Sequence, residues 1–397
     1  MRLRSMLTAC TAGVVLSAAV TGCSSTSQSI AALPAGSSGS IRPSHARPAL
    51  SYVTMYNFAF NSNVTAGVAK VGSTIYGTAS SGGAFGKGFV YSVSASGTET
   101  VLHSFGSGSD GTTPYGGLID VNGTLYGLTS GGGANGGGIV FSITTTGTEK
   151  DLHDFGSGSD GRGPQGAPLL NVGGTLYGVT IGGGSNQVGT VFSITTGGTE
   201  MVLHSFSGGS DGANPWNAGL VNVNGTLYGT TNDGGANNNG TVYSITKKGV
   251  ENVLYSFGSA PDGVNPIGGL ANINGTLYGT TQNGGASGLG TVYSVTTGGT
   301  ETVLHSFSGG SDGASPIANL VNLNGKLYGT TTYGGAFGGG TIYSITTGGT
   351  EAVVYCFGLG TDGNVPDDPL LNVKGTLYGT ASGGGSNSGG IVFWFRP

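Results

Sequence analysis

Short runs rich in Val, Ile, Leu, Thr and Tyr recur along the chain, parted by Gly, Asn and Asp, and none follows a helical period. In one stretch they read AGLVNVNG (218–225), GTLYGTT (225–231), GTVYSIT (240–246) and ENVLYSF (251–257). β-branched and aromatic runs of this length, bounded by turn residues, are the signature of strands. Both alternating faces of each run carry apolar or bulky groups, as expected of strands packed on both sides. Runs one and two join through NG, and runs three and four through GGTE-type turns, both tight hairpin links. The pattern repeats. The tyrosines of LYG or IYG fall at 76, 126, 177, 228, 278, 328 and 378, always 50 or 51 residues apart.

Seven units of four antiparallel strands predict an all-β, seven-bladed β-propeller. The two ends of the repeat region fit that prediction. SYVTMYNF, residues 51–58, matches the fourth run of a repeat, and GIVFWFRP, residues 390–397, matches the third. The last repeat therefore lacks its outer strand while the first residues hold a spare one. Pairing them completes the seventh blade and leaves no sheet edge open. A β-solenoid does not require complementary ends, and its usual repeats are shorter. The expected propeller domain is 51–397.

Composition changes this picture little. Gly supplies 84 and Pro 13 of 397 residues, a level that suggests disorder only where no period exists. Charged residues are 8% and the net charge is −5, so there is no basic footprint for nucleic acid. The N-terminus adds an address. Arg2 and Arg4 precede a short apolar core, Met6 to Ala19, as in an export signal. The following Val20-Thr21-Gly22-Cys23 resembles the lipobox of bacterial lipoproteins. That resemblance implies a signal peptide over 1–22, cleavage before Cys23, lipidation of Cys23 and anchorage in a bacterial membrane, with the outer membrane or cell surface as destination. Residues 23–50, rich in Ser, Ala and Pro, read as a flexible tether reaching ~30 Å. Cys356, where sister repeats have serine, reads as an inert core cysteine.

The repeats themselves resemble a known family. GTVYSITTGGTETVLHSF, varied at 139–155, 190–206, 241–257, 290–307 and 340–357, is similar to the GloVer tandem repeat of exported bacterial proteins that carry assorted surface anchors. The resemblance implies display at the cell surface. It brings no catalytic residues.

Histidine and aspartate recur together, seven residues apart, in VLHSFGSGSDG and its copies. Four of the five histidines, His103, His153, His204 and His305, share one repeat position, which Tyr56, Tyr255 and Tyr355 fill elsewhere. Tyrosine does not replace imidazole on a metal without changing the site, but it does replace it as a flat packing group. On the outer strand, the histidines stand around the rim, too far from one another to converge on one ion. Asp110, Asp160, Asp211, Asp262, Asp312 and Asp362 each precede Gly in a loop ending in Pro four residues on, and read as turn clamps. Each loop offers one carboxylate, enough for at most weak calcium binding, so no cofactor or metal is expected. Glu99, Glu149, Glu200, Glu251, Glu301 and Glu351 are repeat positions beside the GG turn. No pair of carboxylates, nucleophile motif or phosphate loop emerges to mark a catalytic centre.

Strand order places the longer links, from run two to three and from run four to the next blade, on one face. Function tends to sit on such loops. Just after each loop proline the copies diverge, to Tyr115, Gln165, Trp216, Ile267, Ile317 and Asp367. Tyr115, Gln165, Trp216, Asn217, Asp367 and Asp368 there have the aromatic and planar hydrogen-bonding chemistry of sugar or peptide recognition, and are the candidate ligand-binding residues. Phe85, Tyr333 and Phe337 on the longer loops come second. The expected function is a lipid-anchored, non-enzymatic surface module that binds a protein or glycan. The alternative is an extracellular hydrolase or lyase acting on polysaccharide, which convergence of Asp367 and Asp368 with a His or Tyr at the channel mouth would favour.

Overall fold

The structure is a computed structural model that describes residues 51–397 apart from Ala167. The signal peptide, Cys23 and the tether lie outside the described residues. Seven four-stranded antiparallel sheets form a β-propeller. The first blade is typical: Ala69–Val71, Thr74–Ala79, Phe89–Val93 and Glu99–Ser104 run from the channel to the rim. The seventh takes Leu371–Val373, Thr376–Ala381 and Ile391–Arg396 from one end of the chain and Ser51–Asn57 from the other. That last pairing is antiparallel, from Ser51 opposite Arg396 to Asn57 opposite Ile391. Tyr52 locks it, stacking on Tyr355 of the sixth blade at 4.2 Å and donating its hydroxyl to the Asp362 carbonyl at 2.7 Å.

The glycine of LYG has a packing cause. On the third strand a Tyr or Phe stands opposite it, Tyr243 opposite Gly229 for example, and lays its ring across the backbone. A Cβ on Gly229 would come within 2.5 Å of the Tyr243 hydroxyl. The ring at this position is Tyr91, Tyr243, Tyr293 or Tyr343 in four blades and Phe141, Phe192 or Phe393 in three. It meets a second buried aromatic across the joint with the preceding blade. Phe105 meets Phe141 at 5.1 Å, Phe206 meets Tyr243 at 5.2 Å, and Phe58 meets Tyr91 at 4.7 Å where the chain ends join. Such edge-to-face pairs are worth about 1 kcal/mol beyond the area they bury. The core is thus a set of clusters between blades, one at each joint. Cys356 is buried there.

Every outer strand carries one extra residue relative to its partner. Leu102 bulges between Val101 and His103, and Leu152, Leu203, Leu254 and Leu304 do so in later blades. A bulge bends the strand and re-aims the residues beyond it. The Leu102 carbonyl stands so near Gly147 of the next blade's hairpin that a Cβ there would lie 2.7 Å from it. Gly147 also has φ 96°, which disfavours other residues. The hairpin therefore nests against the bulge, and this brings Glu149, two residues on, to the neighbouring blade's rim.

Candidate functional site

At the rim, histidine and aspartate are one unit. His103 Nε2 lies 3.0 Å from Asp110 Oδ2, and Asp110 also accepts the Gly106 and Gly111 N–H groups. The same bond holds His153 to Asp160, His204 to Asp211 and His305 to Asp312. In two sister positions Tyr255 and Tyr355 donate their hydroxyls to Asp262 and Asp362 at 2.8 and 2.7 Å. Histidine and tyrosine thus do one job, donating to the loop carboxylate, as well as packing edge-on to the Phe two residues on.

Spacing within a repeat hides the third member. Glu149 of the second blade reaches the His103–Asp110 pair of the first, and Glu200, Glu251 and Glu351 reach the pairs His153–Asp160, His204–Asp211 and His305–Asp312. In each set the donor atoms lie within 4.8 Å of one another. Donors therefore converge across a joint, although the histidines do not converge with one another. Burial, with the facing aspartate behind it, pushes Glu200, Glu251, Glu301 and Glu351 up to about 7. Glu149 is pushed up to about 8 by burial and by Asp151 and Asp110. One oxygen of each of these five glutamates is buried without a hydrogen-bond partner. Burial works against a charged His153 ring, but the Asp160 carboxylate, with Glu200 and Asp154 behind it, outweighs burial and raises its pKa.

The channel mouth lies on the long-loop face. Two-residue strand pairs brace its loops, Gly111–Thr112 against Gly131–Gly132 and Gly161–Arg162 against Gly182–Gly183. Hydrogen bonds then tie the mouth segments together. Thr78, Thr230 and Thr280 donate to the Gly116, Gly268 and Ala318 carbonyls of the following blade, and Thr380 reaches Ala66 across the closure.

Of the sequence-predicted residues, Tyr115, Asp367 and Asp368 come together. Burial, then Asp367 and Asp368, push Tyr115 up to about 12, against the pull of the Thr65 hydroxyl bonded to it. Asp367 is pushed up to about 6 by burial, and its Oδ1 is buried without a partner. Asp368, 8% exposed, has its carboxyl driven well above the ordinary range by burial and by Asp367. The Thr380 hydroxyl donates to Asp368 Oδ2 at 2.7 Å and lies 3.2 Å from the Ala66 carbonyl; its bond to Asp368 opposes the rise without reversing it.

Thr65 occupies in the first blade the position that Tyr115 holds in the second. The sequence pattern misses it because Val64 replaces the proline that marks this position in the other copies. Trp216 lies two blades beyond Tyr115, 41% exposed, over a separate groove of about 310 Å³ shared with Ile181 and Asn214. The groove floor is Asp233, whose carboxylate accepts Asn214 and Asn232 amides, each at 2.8 Å. Asn217, in a left-handed conformation with φ 54°, packs on Gly166 and so adjoins Gln165. The six candidates thus form two groups around one mouth.

A family profile described as the Gloeobacter/Verrucomicrobia repeat matches residues 63–261 and 167–393. The chain belongs to the Gloeobacter/Verrucomicrobia repeat family. No curated protein matches it. Solved structures similar to this repeat protein include virginiamycin B lyase from Staphylococcus aureus, at 13% identity and TM-score 0.59, covering 88% of this chain and 99% of that one. A streptogramin B lyase is similar at 14% identity and TM-score 0.59, covering 87% and 97%. At these identities the likeness is one of fold alone.

Proposed function

We propose that the propeller is a non-enzymatic binding module that takes a protein or glycan on its long-loop face. Repeat family and propeller fold both fit a binding or interaction module. The observation that carries the face is where large apolar side chains are exposed. Among the described residues six of nine, Phe60, Phe85, Trp216, Tyr333, Phe337 and Leu359, stand on the long loops, while only Val250 lies on the tight-turn face. Exposed aromatics beside planar polar groups are the usual means of holding sugar rings and peptides. In this reading Tyr115, Asp367 and Asp368 form one contact group and Gln165, Trp216 and Asn217 the other. Lipidation of Cys23 would hold the module at the outer membrane or cell surface.

One observation favours the second reading, an extracellular hydrolase or lyase on polysaccharide: Tyr115 does converge with Asp367 and Asp368. The two acids are sequence neighbours, however, and Asp368 is buried against Thr380. Glycosidic cleavage needs two carboxyls flanking one bond, and this pair does not flank an open cleft. The test is a glycan and surface-protein array probed with residues 49–397. Binding that falls at least tenfold on Tyr115→Ala with Trp216→Ala supports the module. Binding unmoved by both changes refutes the site, and release of reducing or unsaturated ends from a polysaccharide, lost in Asp367→Asn, establishes the enzyme.

A further inference from the structure

The joint between the first and second blades departs from its sisters. Along the outer strand, the position two beyond the repeated glutamate is Val101, Val202, Val253, Val303 or Val353 in five copies and Thr54 in the closing strand; in the second blade it is Asp151. Residues two apart on a strand share a face, so Asp151 stands beside Glu149, towards His103 and Asp110 of the first blade. Three carboxyls and one imidazole are thus gathered where the sister joints have two carboxyls. Glu149 Oε1 and Asp151 Oδ1 are both buried with no donor beside them, and the two carboxyls lie within hydrogen-bond reach of each other. Among the described residues the carboxylate ion pairs within 4.0 Å are all with histidine, so no lysine or arginine neutralises this set. A carboxylate in place of valine, with like charges around it, is relieved either by a proton shared with Glu149 or by a cation that displaces that proton.

We infer that His103, Asp110, Glu149 and Asp151 form a binding site for a divalent first-row transition ion, of the Zn²⁺ or Mn²⁺ type. His103 Nε2 and Asp110 Oδ2, 3.0 Å apart, are spaced as neighbouring ligands of one small cation, each near 2 Å from it. One Glu149 carboxylate oxygen lies within 4.8 Å of both; Asp151, outside that three-donor set, stands next to Glu149 and would complete the shell around a bound ion. An imidazole nitrogen suits zinc and the carboxylates suit manganese, whereas calcium takes six to eight oxygens and usually backbone carbonyls among them. The ion would bridge two blades at the rim, away from the channel mouth.

The sister repeats supply substitutions that the fold already accepts. Asp151→Val installs the residue of five other copies. His103→Tyr installs the donor that Tyr255 gives to Asp262, keeping the clamp while removing the nitrogen. The full chain, purified without a histidine tag and stripped with chelator, is titrated with Zn²⁺ and with Mn²⁺ by calorimetry at pH 7.5. A parallel titration uses Ca²⁺. The expected result is one site per chain for Zn²⁺ or Mn²⁺, weakened at least tenfold in both variants and unchanged in His305→Tyr at a three-donor joint. Weaker additional sites at the sister joints are compatible with it. No saturable binding, a tightest site insensitive to Asp151→Val and His103→Tyr, or preference for Ca²⁺ would each overturn the inference. Circular dichroism and melting of each variant show whether a loss is local.

Discussion

The glutamates at the blade joints make stability depend on pH in a calculable direction. Glu200, Glu251, Glu301 and Glu351 are held near 7 in the folded chain, against about 4.5 when free. The folded state therefore binds protons that the unfolded state has already released, and stability falls as pH rises between those values. The full displacement corresponds to about 3 kcal/mol for each glutamate. Each glutamate is partly exposed, and screening reduces this to about 1 kcal/mol per joint, or about 4 kcal/mol for the four. For a domain of this size that is a fall of roughly 5 °C in melting temperature. The assay is calorimetric melting at constant ionic strength from pH 5 to pH 8, with chelator present. His153, whose pKa is also raised, contributes in the same sense, so the wild-type slope alone does not isolate the glutamates. The comparison that does is with the fourfold variant E200Q/E251Q/E301Q/E351Q, whose amides stay neutral. Wild type and variant should melt together near pH 5 and separate towards pH 8, the variant being the more stable. Parallel curves, or a wild type that gains stability as pH rises, would refute the reasoning.

Two further outcomes rest on details of the chain. The hydroxyls of Tyr243, Tyr293 and Tyr343 are buried without partners while sister blades carry Phe at that position, so each Tyr→Phe change should be neutral or stabilising by up to ~1 kcal/mol in denaturant unfolding; a loss above that at any one would mean that the hydroxyl is bonded. Cys23→Ser should move the protein from the membrane fraction to the soluble exported fraction, and continued retention would rule out lipid anchorage through Cys23.

Period, strand count and the complementarity of SYVTMYNF with GIVFWFRP are within-chain patterns, so the propeller and its closure were legible from residue types alone. So was the grouping of long loops on one face, which stems from strand order. The joints were not legible. His103 and Asp110 are seven residues apart, and a single repeat suggests their association, but Glu149 belongs to the next repeat. Its arrival depends on a bulge at Leu102 and a hairpin nested against it, which no spacing rule encodes. Asp151 illustrates the same limit. As a residue it is one unexceptional acid on an outer strand, and only the register beside Glu149 reveals a further carboxyl at the joint. At the mouth the obstacle was different. Divergence after the loop proline pointed to Tyr115 and Asp367, but Thr65 lacked that proline as a landmark, and the seclusion of Asp368 behind Thr380 is a matter of depth that a ring of aligned positions does not contain.

Closure by Ser51–Asn57 has a consequence for how the molecule comes into being. The strand that finishes the seventh blade is made first, and its partner, Ile391–Arg396, more than three hundred residues later. Throughout synthesis the early segment is a strand in waiting, with Tyr52 and Phe58 uncovered, and the ring becomes a ring only in its last step. A loop of that length closes slowly, and until it closes, the open edge accepts the same strand from any identical chain. Crowded nascent chains would then exchange strands and join head to tail, so the seam that gives the finished disc no edge is also its point of entanglement during manufacture.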